Sequence, residues 1–188
     1  MPVDSARCSR GKRAVIGLGS NIADRLTHLQ RGLDQWRLVD GVDVPAWSRV
    51  YESEPVGGNF DGDFLNAVIV IQTILDPEQL LRACHEIEEK CGRDRSEEAR
   101  TGRGNRTLDC DIIYLGDDEI ELVVSETGGE RAVLTIPHRM WENRAFVVIP
   151  LLDVIDKLTP HQGRLVQNVT NSRDFPPESC RLWNSVLN

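Results

Sequence analysis

The sequence is poor in aromatic residues, in positive charge and in long apolar runs. Aromatics make up 5% of the 188 residues, so the sheet-face stacking residues of a single-strand RNA-binding module are missing. Lys and Arg number 22 against 30 Asp and Glu, a net charge of -8, with a pI near 5. A protein that coats nucleic acid gains its affinity by neutralising phosphates and needs the opposite balance. The longest apolar stretches, Ala67 to Ile71 and Phe146 to Leu152, fall far below the ~20 residues of a bilayer span, so no membrane crossing is expected. The five cysteines, at 8, 84, 91, 110 and 180, are odd in number and lack paired metal-knuckle spacing, which excludes a disulfide framework and structural zinc and makes a reducing cytoplasm the default.

What is present suits one globular domain. With 40% hydrophobic and 28% charged residues, the chain can bury a core and is neither disordered nor fibrous. Arg7, Arg10, Lys12 and Arg13 ahead of Ala14 to Leu18 imitate a secretory leader, but the apolar stretch is shorter than the usual ~7–15 residue h-region. It reads instead as a first strand, preceded by a polar arm over residues 1 to 12.

Periodicity supplies the remaining elements. Leu26, Leu29, Leu33 and Trp36 recur at helical spacing behind a potential cap at Asp24. Val44 to Tyr51 reads as a strand, Glu54 to Asp63 as a glycine-rich loop with Gly57, Gly58 and Gly62, and Ala67 to Thr73 as another strand. Asp76, Pro77 and Gln79 form a capping box with proline at the first helical position, and Gly92 is placed to end the helix that carries Leu80, Cys84, Ile87 and Cys91. Periodicity then vanishes from Arg93 to Arg106 and resumes in a strand from Thr107 to Leu115. Glu119 to Val124 and Ala132 to Ile136 predict a hairpin around Thr127, Gly128 and Gly129. Glu142 to Ile155 reads as a last helix, interrupted or bent at Pro150, and residues after about 170 as a tail. The order strand, helix, strand, strand, helix, strand predicts an α+β protein with a ferredoxin-like sandwich, its sheet mainly antiparallel, with appended strands and a third helix.

Two features carry chemistry. Asp109 and Asp111 flank Cys110 on a strand, so their carboxylates share one face. Alone, that pattern fits a solvated strand face as readily as a magnesium site. The loop before it holds Arg93, Arg95, Arg100, Arg103 and Arg106 against Asp94, Glu97 and Glu98, a local surplus of positive charge in an acidic chain. A solvated charge run would look the same; beside the paired acids, the combination reads as a site for metal-bound polyphosphate. Two unit charges 4 Å apart interact by about 4 kcal/mol at an effective dielectric of 20, so bare carboxylates would repel polyphosphate and divalent cations must intervene. Magnesium suits carboxylate and phosphate oxygens. Gly17-Leu18-Gly19-Ser20-Asn21 lacks the third glycine of a dinucleotide fingerprint, and no Walker loop is present.

Gly19-Ser20-Asn21, Phe64-Leu65-Asn66-Ala67, Gly92-Arg93, Arg106-Thr107-Leu108-Asp109-Cys110-Asp111-Ile112, and Pro137-His138 followed by Arg144-Ala145-Phe146 resemble, in order and spacing, the 6-hydroxymethyl-7,8-dihydropterin pyrophosphokinase family of folate biosynthesis. The resemblance covers about residues 13 to 169, leaving the arm and a tail of 170 to 188 without a role. It implies a ferredoxin-like α+β fold and transfer of the diphosphoryl unit of ATP to the pterin hydroxymethyl group, with release of AMP. By position it makes Asp109 and Asp111 the ligands of two Mg2+ ions, and Arg93 and Arg106 the groups that meet the transferring phosphates. Phe64 and Phe146 would sandwich the pterin, Asn66 would bond its edge, and Ser53, Glu54 and Val56 would contact the ring. Glu88, Ile112, Thr135, His138 and Arg144 would lie at the ATP site. The expected working form is a cytoplasmic monomer that binds ATP and the pterin, takes no nucleic-acid or membrane partner, and can associate with other folate enzymes. Against the family pattern, Asn105 stands where Pro is usual, Arg103 where Trp is common and Cys110 where an aliphatic residue is usual, while Arg139 and Val133 replace residues that meet ATP in some members. Two other readings share these features: an RNA-binding module of the same fold, which the acidity and the missing aromatics oppose, and a pterin or nucleotide binder whose altered loop cannot close for turnover.

Overall fold

The computed structural model describes residues 11–57, 59–96, 104–125, 131–184 and 187–188. Strand β1 (Lys12–Ser20) leads into α1 (Arg25–Trp36), then β2 (Val42–Trp47), β3 (Tyr51–Ser53), β4 (Phe64–Thr73), α2 (Pro77–Lys90) and β5 (Asp109–Leu115). A hairpin of β6 (Ile120–Ser125) and β7 (Arg131–Ile136) follows, then α3 (Ala145–Asp153), α4 (Pro160–Ser172) and a short β8 (Arg181–Leu182). The main sheet runs β5-β1-β4-β3-β8, with β2 also on β4, and every neighbouring pair is antiparallel. Strands and helices thus make an α+β protein with a mainly antiparallel sheet. Among the described residues no helix is long and apolar enough to cross a membrane.

The sheet is covered on both faces because its central strands are apolar on both. Ala14, Ile16 and Leu18 of β1 and Ile69 and Ile71 of β4 pack against Leu29, Leu33 and Trp36 of α1 and Leu80, Cys84 and Ile87 of α2. The alternate residues, Val15, Val68, Val70 and Ile113, pack against Val147, Val148 and Leu151 of α3 and Val166 and Val169 of α4. Each fully buried Val, Leu or Ile among them contributes roughly 1.5–3 kcal/mol. The helix starts follow their sequence signals. Asp24 Oδ1 accepts from Thr27 N (3.2 Å). Asp76 and Gln79 close a reciprocal box at 2.8 and 2.9 Å. Gly92, at φ +87°, ends α2 in the left-handed region that glycine enters without steric cost.

Several sequence readings change. The strand expected over Val44 to Tyr51 is two, β2 and β3, because Ser48 interrupts the ladder: its Oγ accepts from Val68 N at 3.0 Å. The helix expected over Glu142 to Ile155 breaks at Arg144, which is extended (φ -107°, ψ 100°), and not at Pro150, which lies buried inside α3. One missing N–H donor there is offset by burial of the proline ring. That helix is not the last, since α4 follows with its own box of Thr159, Pro160 and Gln162. Its apolar stripe is thin, with Val166 and Val169 the buried apolar residues, which is why periodicity did not reveal it. Nor does the chain trail off beyond residue 170. β8 pairs with β3, Leu187 is buried, and Trp47 Nε1 donates to Leu187 O (3.1 Å). Of the arm expected over residues 1 to 12, residues 1 to 10 lie outside the described residues, as does the hairpin turn at Thr127, Gly128 and Gly129, while Lys12 already belongs to β1. The described cysteines, 84, 91, 110 and 180, are free and buried; Cys110 packs in the core, and burial pushes its thiol well above the ordinary range.

Thr159→Ala removes the side-chain half of the α4 cap and is expected to lower unfolding free energy by about 1 kcal/mol in urea titrations, with catalytic constants unchanged.

Candidate active site

The candidate site lies on the face of the sheet that α3 and α4 cover, at the end their helices leave open. Antiparallel register places Gly19 of β1 between Asp109 of β5 and Asn66 of β4, and Gly17 opposite Asp111. Asp109, Gly19 and Asn66 form one row, so the acid and the amide stand two strand spacings apart, about 10 Å. The glycines keep the floor between them open: a Cβ on Gly19 would lie 3.5 Å from the Phe64 ring, 3.6 Å from Asn66 Oδ1 and 3.8 Å from Asp109 Cβ.

Above this floor is a cavity of about 210 Å³ lined by Ser53, Glu54, Val56, Phe64, Asn66, Arg106, Asp109, Asp111, Arg144 and Phe146. It thus gathers both acids, both aromatics and the amide singled out in the sequence. Phe64 comes from the start of β4 and Phe146 from the first turn of α3. Asn66 is buried and donates to Ser53 Oγ (3.0 Å) and Phe64 O (3.4 Å), which fixes its amide at the cavity wall.

Arginines compensate the acids. Arg93 Nη1 donates to Asp109 Oδ1 (2.5 Å) and Arg106 Nη1 to Asp109 Oδ2 (2.6 Å). Burial works against a charged Asp109, but Arg106 and Arg93 outweigh it and hold the carboxyl below its usual range. Burial, reinforced by the Asp109 charge, raises Asp111, which accepts from Arg144 Nη1 at 3.1 Å. Arg144 in turn lies over the Phe146 ring, 5.6 Å from its centre.

Other sequence candidates stand behind the cavity. Glu88 is 2% exposed. Its Oε1 accepts from Arg93 Nη1 (2.7 Å) and from Cys110 N (2.8 Å), and Arg95 reaches its other oxygen. Burial pushes Glu88 up to about 7 against the pull of Arg93. It therefore supports Arg93 and the β5 backbone from beneath. Ile112 is buried in the core against the α1 and α2 side, which leaves its backbone as the part able to meet a ligand. Thr135 Oγ1 accepts from Arg139 Nε (3.0 Å) outside the cavity. His138 Nδ1 accepts from Met140 N (3.1 Å), its Nε2 lies 3.4 Å from Arg144 Nη1, and burial lowers its basicity. Arg100 and Arg103 lie outside the described residues.

Sequence reasoning missed Phe60, which lines the cavity and meets the Phe64 ring edge to face at 5.3 Å. An aromatic residue in an otherwise polar, glycine-rich loop was the available signal. Asn21 and Asn105 were named there only as a motif residue and as a departure from the family pattern, with no contact assigned to their side chains.

Paired acids with arginines line one end of the cavity and aromatic walls with a fixed amide the other, an arrangement that fits a transferase. Comparison with known proteins gives the particular family. Residues 15–156 match the family described as 7,8-dihydro-6-hydroxymethylpterin-pyrophosphokinase (HPPK). A 2-amino-4-hydroxy-6-hydroxymethyldihydropteridine pyrophosphokinase of a Synechocystis species is 36% identical over 81% of this chain and 72% of its own. The Bacillus subtilis protein of the same name is 33% identical over 90% and 89%. Among solved structures, the wild-type HPPK-DHPS of Plasmodium falciparum with SDX-DHP superposes with a TM-score of 0.62 at 14% identity, over 91% of this chain. This chain spans 47% of that one. The chain belongs to the HPPK family, whose activity is pyrophosphoryl transfer to hydroxymethyldihydropterin in folate biosynthesis.

Gly19→Val places two methyl groups on the cavity floor. It is expected to weaken pterin binding at least tenfold, about the 1.4 kcal/mol cost of modest overpacking, measured by calorimetry, while melting temperature stays within a few degrees.

Proposed function

We propose that the chain moves the β,γ-diphosphoryl unit of ATP onto the hydroxymethyl oxygen of 6-hydroxymethyl-7,8-dihydropterin and releases AMP, using the cavity residues in divided roles. The observation that carries this reading is the row Asp109–Gly19–Asn66. It sets a phosphate end and a ring end on one rigid sheet, at a separation suited to a pterin with its reacting arm extended toward the acids. The order of strands, β5-β1-β4 with β2 and β3 beyond, with α1 and α2 on one face, supports the ferredoxin-like description of the scaffold.

At the ring end, Phe64 and Phe146 stack on the pterin faces, Asn66 offers a donor and an acceptor to its edge, and Ser53, Glu54 and Val56 supply the rim. At the phosphate end, Asp109 and Asp111 fit hard divalent cations. Their donors are carboxylate oxygens on one face, and among the described residues no cluster of three or more His, Cys, Asp or Glu forms a metal cage. Magnesium uses this kind of site, with one or two carboxylates and the remaining positions filled by phosphate oxygens and water. Two Mg2+ ions held by Asp109 and Asp111 would screen the triphosphate from the acids and lower the pKa of a bound hydroxyl. Arg93 and Arg106, which meet Asp109 in this structure, would be the groups that reach the transferring phosphates and stabilise the charge that grows on the bridging oxygen leaving with AMP. One of the two carboxylates takes the proton of the attacking hydroxyl. Arg144 and His138 border the phosphate end, Glu88 holds Arg93, and Ile112 and Thr135 lie on the strands that would carry the nucleoside. The working form is proposed to be a cytoplasmic monomer, able to associate with other folate enzymes.

The test is AMP formation from ATP, the reduced pterin and Mg2+. Asp109→Ala and Asp111→Ala are each expected to lower kcat at least 10³-fold, and Arg106→Ala about 10²-fold, with melting temperatures within a few degrees of the parent. Chelation with EDTA is expected to stop AMP release and added Mg2+ to restore it. Unchanged rates in the aspartate variants would remove the proposed roles.

A further inference from the structure

The loop over residues 54–63 and the segment 104–106 belong to different parts of the chain, yet one side chain joins them. Asn105 Oδ1 accepts from Asn21 Nδ2 (2.8 Å) and from Asp61 N (3.0 Å), while its Nδ2 donates to Asp61 Oδ2 (2.5 Å). Backbone bonds on either side complete the junction. Gly104 N donates to Asn59 O (2.9 Å), Asn21 N to Arg106 O (3.2 Å), and Arg106 N to Asn21 Oδ1 (2.7 Å). The amide of Asn105 therefore contacts the ring loop and the end of β1 at once, and the next residue is Arg106.

Packing follows the same junction. The Phe60 ring occupies the space a Cβ on Gly104 would need, 2.4 Å from its Cε1. Its edge contact with Phe64 and the Arg106 guanidinium 6.0 Å from its centre set it between the ring end and the phosphate end of the cavity. Seating the 54–63 loop thus fixes the backbone that aims Arg106. A proline at this position would have no side-chain amide and could not make these bonds.

We propose that Asn105 is a positioning residue that couples the pterin loop to Arg106, so that occupancy of the ring site sets the arginine at the phosphate site. The proposal rests on the roles given above to Arg106 and to the 54–63 loop. Asn105→Ala is expected to lower kcat about tenfold, the worth of one or two net hydrogen bonds. It should also weaken pterin binding by a similar factor in calorimetry with a non-hydrolysable ATP analogue, leaving the KM for ATP within about twofold and the melting temperature within a few degrees. Asn105→Asp faces the Asp61 carboxylate with another and is expected to lose at least as much. The exchange N105D/D61N restores one amide opposite one carboxylate at the original net charge, and is expected to recover kcat and pterin affinity to within about threefold of the parent. A general packing role predicts no such recovery.

Recovery in the exchange variant supports the coupling. An exchange variant no better than N105D, or an Asn105→Ala variant with kcat and pterin affinity within twofold of the parent, overturns it. Arg106→Ala in the same assays separates the two levels: a full rate there removes the underlying reading of the site, whereas a crippled R106A beside an unrescued exchange variant removes the role of Asn105 alone.

Discussion

The charge of Asp109 in its partly buried place is favoured by the arginines that meet it. A carboxylate removed from water loses several kcal/mol of hydration, and only opposite charge at close range returns it. Arg93 and Arg106 each donate to one of its oxygens, and Arg93 is itself anchored by Glu88. Buried ion pairs add little net stability, so what this chain of charges provides is geometry. Two guanidinium groups are held beside the carboxylates, at the place where the proposed reading seats a polyphosphate with its cations.

The scaffold makes that geometry rigid. Asp109 and Asp111 ride on a strand paired along its length with β1, and the amide of the ring end rides on β4, the other neighbour of β1. A sheet packed on both faces resists sliding of its strands, because a shift of register would break the close packing of β1 and β4 side chains against the helices on either side. Separation between the two ends is therefore a property of register, and the glycines of β1 matter because they leave the space between those ends empty.

Much of this was legible residue by residue. The Asp24 and Asp76 caps and the helical stripes behind them were local signals, and local hydrogen bonding decided them. The Asp109–Asp111 pair was legible because strand alternation puts both on one face whatever the rest of the chain does. The site residues took their grouping from motif order, and the cavity draws Ser53, Phe64, Asn66, Arg106 and Phe146 together from separate segments. Less legible were elements whose evidence is tertiary. α4 has few apolar residues of its own, β8 is two residues long, and the Ser48 interruption depends on a bond to a strand twenty residues away. Phe60 and Asn105 were obscured because nothing in a loop's composition tells which other loop it meets.

The amino-acid order by itself determined the class of the chain, an acidic α+β protein with paired aspartates and an arginine-rich loop, since helical and strand periodicity and charge are properties of neighbours in sequence. Only the tertiary structure decided which arginines reach Asp109, that Glu88 supports the site from beneath, that Ile112 is turned into the core, and that Asn105 joins two loops. Those outcomes depend on strand register and on close packing between residues distant in the chain, and both are settled only when the sheet closes under its helices.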